Sequence, residues 1–226
     1  MKETLSKLCE KINYSFSSVH LLNSALTHRS AGKNNNERLE FLGDSILNFI
    51  IADALFLRFP DATEGQLSRI RAHLVKGETL AKIAIEIKVG NHLILGQGEK
   101  KSGGYRRDSI LAGAMEAIIG AAYIDGGFEK TQQMVLDVYK DYLSAVSPGE
   151  VTKDPKTRLQ EYLQSKQLAL PVYDVKSVAG SDHAQHFTVA CYLEKLENPF
   201  HGEGGSRRKA EQDAASKALE FLEKNN

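Results

Sequence analysis

Apolar residues recur at spacings of three and four from Leu5 to about Leu143, the period of a helix with one buried face. The pattern is clearest in Leu21-Leu22-Ala25-Leu26, from Ile46 to Phe56, from Leu80 to Ile87 and from Ile110 to Ile124. Breaks fall at Ala31 to Asn36, at Phe59-Pro60-Asp61, from Gly96 to Gly104 and at Gly126-Gly127, where turn formers cluster. This part of the chain predicts an all-α domain over 1–146. Ser147 to Lys153 is polar, with Pro148 and Gly149 near its start, and predicts a linker over 147–153. From 154 to 226 the period changes. Asp154 and Pro155 are helix-start signals, and a short helix is expected from Thr157 to Lys166. Strands are expected from Val172 to Val178 and from His186 to Leu193. In the second, Phe187, Val189, Cys191 and Leu193 alternate with more exposed types. A third short strand, Phe200 to Glu203, leads into a helix from Arg207 to Lys224.

Bulk charge adds little. The 226 residues carry 29 basic and 29 acidic side chains, of which 11 of each fall from Val151 onward and 18 of each before it. Any site for a polyanion must therefore be a local cluster. With 42% hydrophobic residues there is ample core material. Cys9 and Cys191, far apart and without CxxC spacing, suit neither a disulfide scaffold nor a structural zinc site and fit a reducing cytosol. Met1 to His20 mixes charged and apolar residues without the unbroken apolar core of a signal peptide. No continuous run approaches the roughly 18 apolar residues of a membrane span. The expectation is a cytoplasmic protein with no membrane partner.

The chemistry concentrates in Asn36-Glu37-Arg38-Leu39-Glu40-Phe41-Leu42-Gly43-Asp44-Ser45. Glu37, Glu40 and Asp44 stand at i, i+3 and i+7, so a helix gathers them on one face. Leu39, Leu42, Ile46, Phe49 and Ile50 fall on another face, which the pattern predicts to be buried. Stacked like charges repel, and a divalent cation relieves that; Mg²⁺ prefers hard oxygen ligands of this kind. The plainer alternative is a solvated acidic face. Against it stand the apolar character of the rest of the helix and a second acidic helix further on.

This string closely resembles the signature of the ribonuclease III family, and so does the segment from Lys101 to Ala117, with one departure. Where the family has an aspartate three residues before its glutamate, this chain has Gly113 before Glu116. The resemblance implies an endoribonuclease site of Glu40, Asp44 and Glu116 around Mg²⁺, with Mn²⁺ as a substitute. In it Glu116 is the indispensable ligand, Glu40 a direct one and Asp44 one that acts partly through water. Glu37 and Glu64 match auxiliary acidic positions near the substrate path, although Glu64 could equally cap the helix that begins there. Gly113 supplies no ligand, and water could take that place at weaker affinity. Asp108 and Asp125 lie too far along the chain to be assumed substitutes. His28 belongs to the family pattern as a packed or hydrogen-bonded residue rather than a catalyst.

In the second half, Gly204-Gly205-Ser206-Arg207-Arg208-Lys209 opens a helix with three cations in its first turn. Cations there oppose the helix dipole unless an anion arrives, and a helix N-terminus suits phosphate. A solvated basic turn is the plainer reading. The α-β-β-β-α order resembles the double-stranded RNA-binding domain, so the likeness covers nearly the whole chain. It implies that Ser206, Arg207, Arg208 and above all Lys209 span phosphates. It also implies that Thr157, Gln160 and Glu161 reach 2′-hydroxyls in one minor groove, with His183 of the following loop in the next. Such recognition reads A-form shape.

Taken together, the resemblance implies an all-α endonuclease domain followed by a duplex-RNA-binding domain. It further implies a homodimer in which Phe41 lodges in a pocket of the partner. Duplex RNA, ribosomal precursors and other structured transcripts among it, would be cut to 5′-phosphate and 3′-hydroxyl ends. Two rivals remain: a duplex-RNA binder whose cleavage is weakened or lost through Gly113, and a helical protein–protein module with surface carboxylates.

Overall fold

The computed structural model describes residues 2–149, 154–180, 185–194 and 196–224. The chain divides into two compact units, Met1–Val151 and Thr152–Asn226. His183 and the last residues of the expected linker lie outside the described residues.

In the first unit the helices are α1 (Lys2–Lys11), α2 (Val19–Leu26), α3 (Glu37–Arg58), α4 (Glu64–Val75), α5 (Gly77–Glu86), α6 (Gln97–Lys101), α7 (Asp108–Val138) and α8 (Lys140–Ala145). The first half of α7 is apolar on nearly every side, which only a position inside other helices satisfies. Residues Ile110 to Met115 and Ala117 to Ala122 are buried, and α2, α3 and α5 pack around them. Among the described residues α7 alone is long and apolar enough to cross a membrane. It is instead a core helix, with 67% of its apolar window buried. No continuous apolar run announced it, because alanine and glycine dilute the leucines and isoleucines. The expected break at Gly126-Gly127 is a kink at the non-helical Gly127 (φ 79, ψ −178), a conformation that glycine adopts without a Cβ penalty.

Two expectations need correction. The stretch from Gly96 to Gly104 is not all loop: it contains α6. Phe49 is not on the buried face but 59% exposed. It lies one residue before the buried Ile50, some 100° round the helix, and meets Phe128 edge-on at 5.5 Å.

The second unit orders α9 (Pro155–Ser165), β1 (Val172–Ala179), β2 (His186–Tyr192), β3 (Phe200–Gly204) and α10 (Arg207–Lys224). The strands form one antiparallel sheet, β1-β2-β3, with a bulge between Val175 and Ser177. Leu159 and Leu163 of α9, Cys191 of β2 and the alanines 214, 215 and 218 of α10 make the core. Asp154 caps α9 by accepting from the Thr157 amide at 3.2 Å, with Pro155 in the first turn.

Candidate active site and RNA-binding surface

The acidic positions come together because α3 and α7 cross unusually closely. A Cβ built on Gly43 would lie 1.7 Å from the carbonyl oxygen of Glu116, and one on Gly120 would lie 2.3 Å from that of Leu39. Only glycine at both positions lets the two backbones touch. The contact sets Glu40 and Asp44, on α3, against Glu116 in the middle of α7. All three line a cavity of about 580 Å³ with Glu37, His28, Arg29, Phe41 and Gly113.

The carboxylates differ in environment. Glu37 is exposed and pairs with Arg29 at 3.7 Å. Asp44 is exposed, its Oδ1 accepting from Asn48 Nδ2 at 3.0 Å. Glu40 is partly buried; burial and then the charge of Glu37 raise its pKa, with Asp44 adding and His28 and Arg29 opposing. Burial, followed by the charges of Asp44 and Glu40, pushes Glu116 up to about 7. A carboxyl half-protonated near neutrality beside two others is a group that a cation would ionise.

The donor set therefore suits a divalent metal, though the carboxylates border the cavity without closing on one point. Among the described residues no three acidic, histidine or cysteine side chains are gathered tightly enough to hold an ion. That spacing fits an ion that keeps part of its water shell, as Mg²⁺ does. Asp125 is no substitute for a side chain at 113, since it accepts from the amides of Ser17 and Ser18 at 2.8 Å each. His28 Nδ1 is hydrogen-bonded within its own turn, to Ser30.

Glu64 does not join this group. It lines a separate hollow with Phe49, Asp53, Phe56 and Arg71, and its carboxylate accepts from Ser68 Oγ at 2.7 Å. Nor does it cap α4: Thr63 does, in a reciprocal capping box with Gln66.

Residues 18–143 match the Ribonuclease-III-like family, and residues 155–222 match the double-stranded RNA binding motif. The chain belongs to the ribonuclease III family. Two proteins called Ribonuclease 3 are similar over nearly all of it. That of Nitrosococcus oceani is 58% identical, covering 98% of this chain and 96% of its own, and that of Marinomonas sp. is 57% identical, covering 99% of each. The solved nuclease domain of ribonuclease III from Campylobacter jejuni is 39% identical with a TM-score of 0.60, covering 63% of this chain and 97% of that one. The family is one of endoribonucleases, generally metal-dependent, and this member carries a nuclease domain followed by a double-stranded RNA-binding domain.

Within the RNA-binding domain of this ribonuclease III member, the first turns of α9 and α10 are tied together. Glu211, buried in α10, accepts from Lys156 Nζ at 2.7 Å and from Arg207 Nε at 2.9 Å. Gln212 bridges the Asp154 carboxylate, at 2.7 Å, and the Lys156 amide, at 3.0 Å. Ser206 caps α10, its hydroxyl accepting from the Lys209 amide at 3.2 Å. The three cations thus divide. All three are exposed, but Arg207 is paired with Glu211, whereas Arg208 and Lys209 form no ion pair among the described residues. Thr157 donates its hydroxyl to Asp154 at 2.8 Å, and Gln160 and Glu161 are exposed on α9.

Sequence reasoning passed over the roles of Gly43, Gly120 and Glu211. A signal existed for the glycines: each interrupts a helix, at a propensity cost of about 1 kcal/mol relative to alanine, which marks close packing. Glu211 carried only the i,i+4 spacing from Arg207; its burial and its second partner, Lys156 at 55 residues' distance, are tertiary.

Proposed function

We propose that this chain cuts double-stranded RNA by hydrolysis at a Mg²⁺ site held by Glu116, Glu40 and Asp44, Asp44 partly through water. Mn²⁺ is a workable substitute. The observation that carries this reading is the meeting of Glu40 and Asp44 from α3 with the partly buried Glu116 of α7 at one cavity. An ion held there would polarise a phosphodiester oxygen and lower the pKa of the attacking water. The side chains do the rest. Glu116 would release its proton to solvent on holding the cation, and Glu40 and Asp44 would balance the cation's charge. Glu37 and Glu64 act along the substrate path. The cut leaves 5′-phosphate and 3′-hydroxyl ends on ribosomal RNA precursors and other structured transcripts in the cytoplasm.

Duplex recognition falls to Lys209 and Arg208, with Ser206 and Arg207 organising their turn. Thr157, Gln160 and Glu161 face one minor groove and His183 the next. Boundaries at 1–146, 147–153 and 154–226 assign the nuclease domain, a linker and the RNA-binding domain. The protein works as a homodimer. One Campylobacter jejuni structure is described by its region involved in dimer formation. Here Phe41 is 79% exposed on a charged stretch. Beside it is an apolar hollow of about 730 Å³ lined by Leu21, Leu39, Leu42 and Ile124. A two-fold axis would seat each protomer's ring in the other's hollow, the kind of aromatic anchor that dominates interfaces.

The test is cleavage of one perfect RNA duplex across a Mg²⁺ titration. The present sequence should cut. Glu116→Gln should not, while binding the duplex without metal as before. Binding without cutting at any metal concentration would establish the non-cleaving alternative instead.

A further inference from the structure

The turn that follows α2 brings a histidine to the wall of the acidic cavity and fixes how it faces. His28 caps the short turn Arg29–Ala31: its Nδ1 accepts from the Ser30 amide at 3.2 Å and lies 2.9 Å from Ser30 Oγ. Ser30 Oγ in turn accepts from the Gly96 amide at 3.0 Å, so its own hydrogen is free to point at Nδ1. The turn is anchored on its other side as well, the His28 amide donating to the Ile94 carbonyl at 3.0 Å. A backbone N–H can only donate, so Nδ1 carries a lone pair and the neutral ring has its hydrogen on Nε2. Nε2 has no hydrogen-bond partner among the described residues. The ring lines the cavity with Glu40, Asp44 and Glu116.

A cap needs only one acceptor, which Asn, Asp or Ser supplies more commonly than His. The imidazole adds an N–H that the turn does not use. The cavity, for its part, is rich in carboxylates, while a phosphodiester entering it is itself an anion and calls for N–H donors at its oxygens. Of the other N–H side chains in the lining, Arg29 pairs with Glu37 at 3.7 Å and Asn36 is buried.

We infer that His28 donates its Nε2–H to a non-bridging oxygen of the scissile phosphodiester. This rests on the cleavage reading above and adds to it a substrate contact made by the chain itself. Because the turn holds the ring before substrate arrives, the donor needs no reorganisation as charge builds on the phosphoryl oxygens, which is where a fixed N–H has most effect. His28 is near enough to Glu40 for its charge to oppose the rise in that residue's pKa, so donor and carboxylates serve the same cavity. No proton is transferred: the ring remains an Nε2–H donor throughout.

Two substitutions separate the ring nitrogens. In His28→Asn the side-chain oxygen can still accept from the Ser30 amide, but nothing reaches the Nε2 position; in His28→Gln the longer amide can return an N–H there. Metal-free melting of the full chain, and its Mn²⁺ binding without RNA followed by the electron paramagnetic resonance of the free ion, should be the same for His28→Asn as for the parent. Single-turnover cleavage of one perfect RNA duplex, at saturating enzyme and Mg²⁺, should fall by about a hundredfold or more in His28→Asn, the order for loss of one fixed donor, and His28→Gln should recover at least about tenfold of it. Long-range proton–nitrogen correlation spectra of the metal-free protein at alkaline pH should show the Nε2-protonated tautomer for His28. If His28→Asn melts below the parent, His28→Gln is compared instead with His28→Met, of like length without an N–H, and the same recovery is expected. An Nδ1-protonated ring, His28→Asn cutting as fast as the parent, a loss matched by weaker Mn²⁺ binding, or equal rates in His28→Gln and His28→Met would overturn the inference and leave the cleavage reading standing. A parent that binds the duplex but never cuts it would bring down that reading and this inference with it.

Discussion

Gly43→Ala tests the crossing on which the active site depends. The new methyl group would sit 1.7 Å from the Glu116 carbonyl oxygen, 2.6 Å from its carbon and 2.9 Å from the Gly120 nitrogen. All three are backbone atoms, so no rotamer change can make room. Restoring a contact of about 3.5 Å requires α3 and α7 to part by roughly 1.8 Å. Alanine contributes about 1 kcal/mol in helix propensity. Overpacking of this severity reaches or exceeds the upper end of the usual range, about 3 kcal/mol. The net is a loss of about 2 kcal/mol, or roughly 4–8 °C in the melting temperature of a domain this size. Scanning calorimetry of the full chain should show that drop in the nuclease transition and none in the RNA-binding one. Gly98→Ala is the control: a Cβ there meets nothing within 4 Å, so the variant should melt at or slightly above the parent. A Gly43→Ala protein that melts with the parent or higher would refute the close-crossing account.

Two further outcomes follow from the charges. The folded-state pKa of Glu116, about 7 against an ordinary 4.5, means that the native state binds this proton more tightly than the unfolded one. Its contribution to stability is therefore present below about pH 4.5 and lost as pH rises through 7. Metal-free Glu116→Gln should accordingly gain on the parent in melting temperature between pH 5 and pH 8, and a constant difference would contradict the raised pKa. Arg208→Ala with Lys209→Ala should weaken binding to unrelated duplexes by similar factors and flatten the salt slope by about 0.9 for each phosphate no longer neutralised. An unchanged slope in a binding titration would remove those residues from the interface.

Periodicity carried most of the fold. The long helices of the first unit, the three strands and the start of α10 at Arg207 follow from local spacing and turn residues, whereas the short α6 did not. Phe49 failed because a helical period assigns faces only to within a residue, and the edge of a face is decided by what packs there. The acidic row on α3 was legible because i, i+3, i+7 is a local pattern. Glu116 was reached through the family likeness, and its meeting with that row depends on a tertiary contact between two glycines that no spacing encodes. The division of labour in the basic turn was hidden for the same reason. Arg207, Arg208 and Lys209 look alike in sequence, and only the buried Glu211 separates the first from the other two.

That buried carboxylate also bears on the order of events when RNA arrives. Three cations opposite a helix dipole would fray the first turn of α10 in the free protein. Glu211, which also pairs with Lys156, answers part of that repulsion from inside the domain. If this turn meets phosphates as proposed, its ion pairs hold it in shape before encounter, and docking need not order it. Calorimetry of duplex binding should then show a heat-capacity change set by the grooves covered, without the large negative excess that marks coupled folding. The domain can sample one duplex after another as a finished surface.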